Sequence, residues 1–204
     1  MKETTYYDKI NKIFKTRGHS ISRTEIDHAN IPSWFLYDFV KRNNLTKLAP
    51  GFYTSPLYQE DDWFLLQQRY PKFVFSGMCA LYLLQLTDKI PDVMTVTAPR
   101  GYHPSRKKID NLSIRYETNS EIYSFGIIEK ETLFGNKVRV YSLEKTICDL
   151  IKNRDAYDSE TFIKALRIYA KRPDKDDVAL YQYARRIKIE LQVFELMEVI
   201  LNEN

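Results

Sequence analysis

Residues 21–53, ISRTEIDHANIPSWFLYDFVKRNNLTKLAPGFY, carry the pattern that decides how the first part of the chain folds. Ser22 followed by Glu25 matches a capping box, in which two residues satisfy each other's hydrogen bonds at the start of a helix. Pro32 and Ser33 predict the first turn of a second helix, because proline lacks an N–H that would be unpaired there anyway. Two short helices joined by a tight connection are therefore expected.

The same stretch ends in a predicted hairpin. Two asparagines end the second helix, and Pro50 with Gly51 predicts a turn between short strands. Apolar residues at helical spacing over residues 4–15 predict a further helix ahead of the pair. This order of helices followed by a wing is the layout of a winged helix-turn-helix DNA-binding domain, predicted here over residues 1–56.

The two faces of the second predicted helix differ in chemistry. Leu36, Phe39 and Val40 fall at i, i+3 and i+4, a spacing that predicts a core-facing stripe. The other face suits a major groove, although an ordinary solvated face is the alternative, and its tryptophan could instead fold back onto the core. The predicted groove-facing residues are Ser33, Trp34, Tyr37 and Lys41, and the predicted phosphate-contacting residues are Arg23, Arg42 and Lys47.

The positive charge is concentrated in this segment. The chain has 31 Lys and Arg against 27 Asp and Glu, a formal net charge of +4. Residues 1–55 hold nine Lys and Arg against five Asp and Glu, so the whole surplus of four lies there. Because neutralised phosphates dominate nucleic-acid affinity, this asymmetry favours double-stranded DNA as a partner.

The rest of the chain, residues 57–204, predicts a second domain. Short apolar strands alternate with helices and then give way to helices alone, which predicts a mixed β-sheet domain with a C-terminal helical bundle. The predicted fold class of the whole chain is therefore α+β. The predicted strands are residues 73–75, 93–98, 112–116, 122–128 and 137–141.

Motifs of catalysis are missing from the sequence. The six glycines are far apart, so there is neither a G-x-G-x-x-G loop nor a Walker A loop, and no G-x-S-x-G elbow occurs. Two pairs of adjacent acids, at residues 61–62 and 176–177, precede predicted helices, where capping is the favoured explanation. We expect no catalytic residue, metal site or cofactor.

The cysteines and the N-terminus indicate a compartment. Cys79 and Cys148 each lie in an apolar helical pattern, which predicts two buried thiols under reducing conditions. No apolar run reaches the roughly 20 residues that cross a bilayer. Since the N-terminus also lacks the apolar region of a signal peptide, we expect a cytoplasmic protein without membrane partners.

Two basic clusters in the second domain are further candidates. Either could contact the DNA backbone outside the recognition helix, although a solvated surface balanced by nearby acids is favoured for each one alone. The residues are Arg100, Arg106, Lys107, Lys108, Arg185 and Arg186.

Two stretches of the second domain resemble a known family. Residues 75–88 (FSGMCALYLLQLTD) with 90–91 and 95–102 (TVTAPRGY) form the first, and residues 140–151 (VYSLEKTICDLI) form the second. They resemble the AbiEi antitoxins of bacterial type IV toxin–antitoxin systems, which act in abortive infection, a form of phage resistance. The similarity extends over nearly the whole chain, and Lys145 stands where the family often has arginine.

This resemblance implies a protein with two activities. The winged helix-turn-helix would bind inverted repeats in the promoter of its own operon and repress transcription. The C-terminal domain would neutralise a nucleotidyltransferase-class toxin without forming a stable complex, and the basic clusters become candidates for that task. The alternatives are an enzyme-type antitoxin that modifies the toxin, and a plain winged-helix transcription factor with a dimerisation or sensing domain.

One further likeness concerns the enzyme alternative. Ser76 and Gly77, a helix, and a strand with Thr95 and Thr97 follow the order in which a nucleotidyltransferase core begins. Such enzymes carry two carboxylates on that strand, and threonines cannot replace them as magnesium ligands. If the likeness holds, the domain is a non-catalytic relative.

Overall fold

The computed structural model describes residues 2–58, 61–104 and 111–202. The chain divides into two compact units, Met1–Pro71 with Thr132–Asn136, and Lys72–Glu131 with Lys137–Asn204. Both combine helices with a β-sheet, so the predicted α+β class is confirmed. The predicted domain boundary, between residues 56 and 57, falls inside the first unit.

Within its described residues, the first unit contains four α-helices and a three-stranded antiparallel sheet of order β1-β3-β2. A 3-10 turn at Pro56–Tyr58 precedes the last helix. The elements in chain order are α1 (Lys2–Thr16), β1 (Ser20–Ser22), α2 (Arg23–His28), α3 (Ser33–Arg42), β2 (Thr46–Ala49), β3 (Phe52–Thr54) and α4 (Asp62–Arg69).

The local signals for this unit act as the sequence predicts. The Ser22 hydroxyl accepts a hydrogen bond from the Glu25 N–H at 3.2 Å, and the Glu25 carboxylate accepts one from the Ser22 N–H at 2.8 Å. This is the predicted capping box of α2. Gly51, with φ of +72°, forms the turn between β2 and β3, where a side chain would be strained. The predicted hairpin is therefore confirmed.

The core of the first unit brings together one apolar face from each of α1, β1, α2 and α3. Ile10, Ile21, Ile26 and Leu36 are fully buried, and Phe39 is buried beside them. The predicted core-facing stripe of Leu36, Phe39 and Val40 is confirmed, with the first two buried and Val40 half-buried against the same core. Burial of such side chains is the main source of stability.

The second unit is a five-stranded mixed sheet with helices, followed by helices alone. The strand order is β6-β5-β4-β8-β7, in which β4 pairs antiparallel with β5 and parallel with β8. The elements are β4 (Val74–Phe75), α5 (Gly77–Leu83), β5 (Met94–Pro99), β6 (Leu112–Glu117), α6 (Ser120–Ser124), β7 (Ile127–Glu131), β8 (Lys137–Tyr141), α7 (Leu143–Lys152), α8 (Ser159–Ala170), α9 (Asp177–Arg186) and α10 (Glu190–Asn202).

One predicted strand is wrong in its first half. Residues 122–128 were predicted to be extended, but the chain forms the short helix α6 and then β7. The Asn119 side chain accepts hydrogen bonds from the Glu121 and Ile122 N–H groups and so starts the helix. Gly126, with φ of +66°, then ends it, so the alternating apolar pattern is overruled by a cap on each side.

The two acid pairs lie at helix starts and both cysteines are buried, as predicted. Asp61 accepts from the Phe64 N–H at the start of α4, and Asp176 caps α9 in the same way. Both cysteines are free and buried. None of the helices in the described part of the chain has the length and apolarity that crossing a membrane requires.

Candidate nucleic-acid interface

Helix α3 is held firmly by its buried side. Phe35, Leu36 and Phe39 are each 5% exposed or less. The rings of Tyr6 and Tyr7, on α1, pack against Phe35 with centroids 5.0 and 5.3 Å away. The helix therefore cannot rotate without breaking the core, and its opposite face is fixed toward solvent.

Two large aromatic side chains project from that opposite face. Trp34 and Tyr37 are each 52% exposed, an unusual degree for such large apolar surfaces. The Trp34 ring stacks on Phe35 at a centroid distance of 3.7 Å and an angle of 27°. One side of the indole thus covers the core and the other remains open, so the packing onto the core is present and the groove contact stays a prediction.

Arg23 connects three elements of the first unit. Its backbone N–H donates to the Gly51 carbonyl at 2.6 Å, which ties the start of α2 to the hairpin turn. Its guanidinium donates to the Tyr37 hydroxyl at 3.5 Å and to Asp27 at 2.8 Å. The Asp27 hydrogen bond raises the arginine's pKa further. In this hydrogen bond the Tyr37 hydroxyl is the acceptor.

The predicted phosphate-contacting cations differ in their partners. Arg42 pairs with Asp38 at 2.6 Å and lies over the Tyr7 ring at 5.0 Å, and Arg23 pairs with Asp27. Lys41 on α3 and Lys47 on β2 are exposed, and neither forms an ion pair with any residue that the structure describes. The two lysines are thus the more available charges.

The predicted basic clusters of the second unit are only partly described. Arg100 directly follows β5, where its N–H donates to the Glu117 carbonyl at 2.8 Å. Arg185 and Arg186 are both exposed on α9, and Arg186 also lies over the Phe125 ring at 4.7 Å. Three predicted residues lie outside the described part of the chain: Arg106, Lys107 and Lys108.

The threonines at the suggested nucleotidyltransferase positions are engaged in structural hydrogen bonds. Thr95 donates to the Ser76 carbonyl at 2.5 Å and accepts from the Cys79 N–H at 3.2 Å. Thr97 donates to the Ser76 hydroxyl at 2.9 Å. These bonds fasten the turn between β4 and α5 to β5, which explains why hydroxyl side chains occur at both positions.

Sequence reasoning missed a buried polar cluster in the second unit. Lys145 is 2% exposed, donates to the Ile122 and Phe125 carbonyls, and lies 3.3 Å from the centroid of the Tyr141 ring. Burial lowers the pKa of this lysine to about 7, whereas Asp149 opposes that shift. The only available signal was a lysine inside an apolar helical stripe.

The fold and this surface together define a mixed α+β protein with an exposed aromatic and basic helix face. No protein-family model and no curated protein sequence matches the chain. Among solved structures, the chain is similar to the RV2827C protein from Mycobacterium tuberculosis, with a TM-score of 0.50 and 11% identity. The similarity covers 89% of this chain and 71% of that one, and at this identity it concerns the fold alone.

Proposed function

We propose that the first unit is a winged helix-turn-helix that binds double-stranded DNA in the promoter of its own operon and represses transcription. In this proposal α3 enters the major groove and the β2–β3 hairpin is the wing. The second unit neutralises a nucleotidyltransferase-class toxin, so that the chain is the antitoxin of a type IV system.

The observation that carries the DNA-binding proposal is the two-sided character of α3. Its buried side fixes the helix in the core, while Trp34, Tyr37 and Lys41 project from the other side. Lys47 extends the positive charge onto the hairpin, and Arg23 links helix and hairpin through Tyr37 and Gly51. An aromatic centre flanked by free cations complements base edges flanked by phosphates.

The antitoxin part of the proposal is supported by the resemblance of residues 75–102 and 140–151 to the AbiEi family. The proposal predicts a gene for a nucleotidyltransferase-class toxin beside that of this chain, and co-expression of the two distinguishes this function from that of a plain transcription factor. The proposed antitoxin restores growth, and a plain regulator does not. Incubating the purified chain with the toxin, ATP and magnesium tests the enzyme-type alternative, since only a modifying enzyme would transfer phosphate or nucleotide.

Replacing Lys41 by alanine is expected to weaken binding to the promoter DNA of the chain's own operon about tenfold, because one charged contact to a base or a phosphate is lost. A gel shift with the purified full-length chain measures this. Lys12→Ala is the matched control, since Lys12 is an exposed lysine of the same unit on α1. Equal binding by the two variants would contradict the proposal that α3 is the helix that contacts the bases.

A further inference from the structure

We propose that α3 recognises thymine, through contacts of Trp34 and Tyr37 with the C5-methyl groups in the major groove. This inference rests on the proposed DNA-binding function and assigns the base class that the helix reads. Thymine is the base that presents an apolar methyl group there, and apolar side chains are its natural contacts.

The position of the two aromatics fits this task. Trp34 and Tyr37 are the second and fifth residues of α3, within its first two turns. In helix-turn-helix proteins the N-terminal residues of the recognition helix are those that contact base edges. Each residue is 52% exposed, and exposed apolar surface is stabilised by covering another apolar group.

The residues that make two hydrogen bonds to one purine are missing from this part of the helix, and Ser33, the one hydroxyl of an aliphatic side chain there, does not distinguish one base from another. Guanine is read by Arg or Lys and adenine by Asn or Gln, and none of these residue types occurs over residues 33–40. Asp38, the one acid there, accepts a hydrogen bond from the Tyr7 hydroxyl and pairs with Arg42. Lys41 comes a turn later, where it adds charge beside the aromatic centre.

Both rings are held in place before any DNA arrives. Trp34 stacks on Phe35, which is 3% exposed and itself packed between Tyr6 and Tyr7. The Tyr37 hydroxyl accepts from Arg23. Because these contacts already restrict the two side chains, less side-chain freedom is lost on binding, which favours a measurable contribution from a contact as small as a methyl group.

The experiment uses the full-length chain and a library of randomised duplexes, from which bound sequences are selected. The selected duplex is then resynthesised with uracil in place of each thymine in turn, which removes one methyl group and leaves every hydrogen bond. At one or two positions in each site we expect affinity to fall about fourfold, the equivalent of one buried methylene group.

Protein variants assign the effect to the two rings. In Trp34→Ala or Tyr37→Ala, uracil at the contacted position has no further effect, whereas Tyr37→Phe keeps the ring and keeps the sensitivity. Urea unfolding confirms that each variant is folded. Uracil without effect at every position, or an effect that persists in both alanine variants, overturns the thymine assignment while DNA binding stands. Failure to enrich any duplex overturns the proposed function itself.

Discussion

Replacing Lys145 by alanine is expected to lower the free energy of unfolding by about 3–5 kcal/mol at pH 7. The change removes a buried aliphatic stem and leaves two carbonyls, those of Ile122 and Phe125, without their donor. These carbonyls lie in and just after α6, so the amine caps the end of that helix. Urea unfolding of the full-length chain measures the loss.

The same lysine predicts a particular pH dependence. Its pKa is lowered by burial from 10.5 to about 7, so between these values the unfolded chain holds a proton that the folded chain has released. This lysine's contribution to stability therefore rises with pH across that window, by at most about 1.4 kcal/mol per pH unit. Below pH 7 both states are protonated and the contribution no longer changes.

Lys145→Met separates the two effects, because methionine keeps much of the apolar stem and cannot titrate. We expect the wild type to gain stability relative to this variant as the pH rises from 7 to 9.5. A difference between the two proteins that stays constant over this range would contradict the buried, deprotonated state of the amine. A loss under about 1 kcal/mol in Lys145→Ala would contradict its role as a cap.

Replacing Asp61 by alanine is expected to cost about 3 kcal/mol, because three hydrogen bonds to a buried carboxylate disappear. Asp61 is 1% exposed and accepts from the Phe64 N–H at 3.0 Å, the Thr132 hydroxyl at 2.6 Å and the Asn136 amide at 2.8 Å. It therefore holds both the start of α4 and the segment at residues 132–136 within the first unit.

Asp62→Ala is the matched control for this prediction. Asp62 is the adjacent acid, is exposed, and stands in the first turn of the same helix, so its loss costs under about 0.5 kcal/mol. Asp61→Asn keeps an acceptor for the Phe64 N–H but turns an amide donor toward Asn136. Its loss of unfolding free energy is therefore expected to lie between those of the two alanine variants. Equal unfolding midpoints for both alanine variants would contradict the account.

Short-range signals predicted the first unit well. Ser22 and Glu25 fix a helix start through their own backbone, and the Pro50–Gly51 turn needs only a positive φ at glycine. The i, i+3, i+4 spacing of α3 separated its core side from its open side because one helix face meets one core. Such features depend only on residues close together in the chain, so they can be read from the sequence.

Features that depend on distant neighbours were missed. The apolar alternation over residues 122–128 fits a strand and a capped helical turn alike. The Asn119 cap is a local signal that this alternation outweighed, whereas the Lys145 amine, which binds the end of α6, lies 20 or more residues further along the chain. The burial of Lys145 follows from the carbonyls and aromatic rings around it. The sequence around Lys145 shows a charged residue in an apolar stripe, but it does not show which carbonyls accept hydrogen bonds from the amine.

The candidate interface was predicted residue by residue, and the structure distinguishes among its members. Trp34 and Tyr37 form an exposed aromatic pair, which their spacing of three residues already indicated. The ion pair of Arg42 with Asp38 joins residues four apart, a geometry that the sequence also contains. Its consequence is that Lys41 and Lys47, rather than Arg42, are the charges most available to phosphates.

Binding of the full-length chain to the DNA upstream of its own gene is the decisive measurement for the proposed DNA-reading role of the first unit. Fluorescence anisotropy with this fragment and with a shuffled fragment of the same composition, at several salt concentrations, separates specific from charge-driven binding. We expect at least thousandfold tighter binding to the upstream fragment, as for specific DNA-binding proteins, and a salt slope that falls by about 0.9 in Lys47→Ala, as for one lost phosphate contact. Equal affinity for both fragments, or no binding to either, would contradict the assignment of the first unit as a DNA-reading domain.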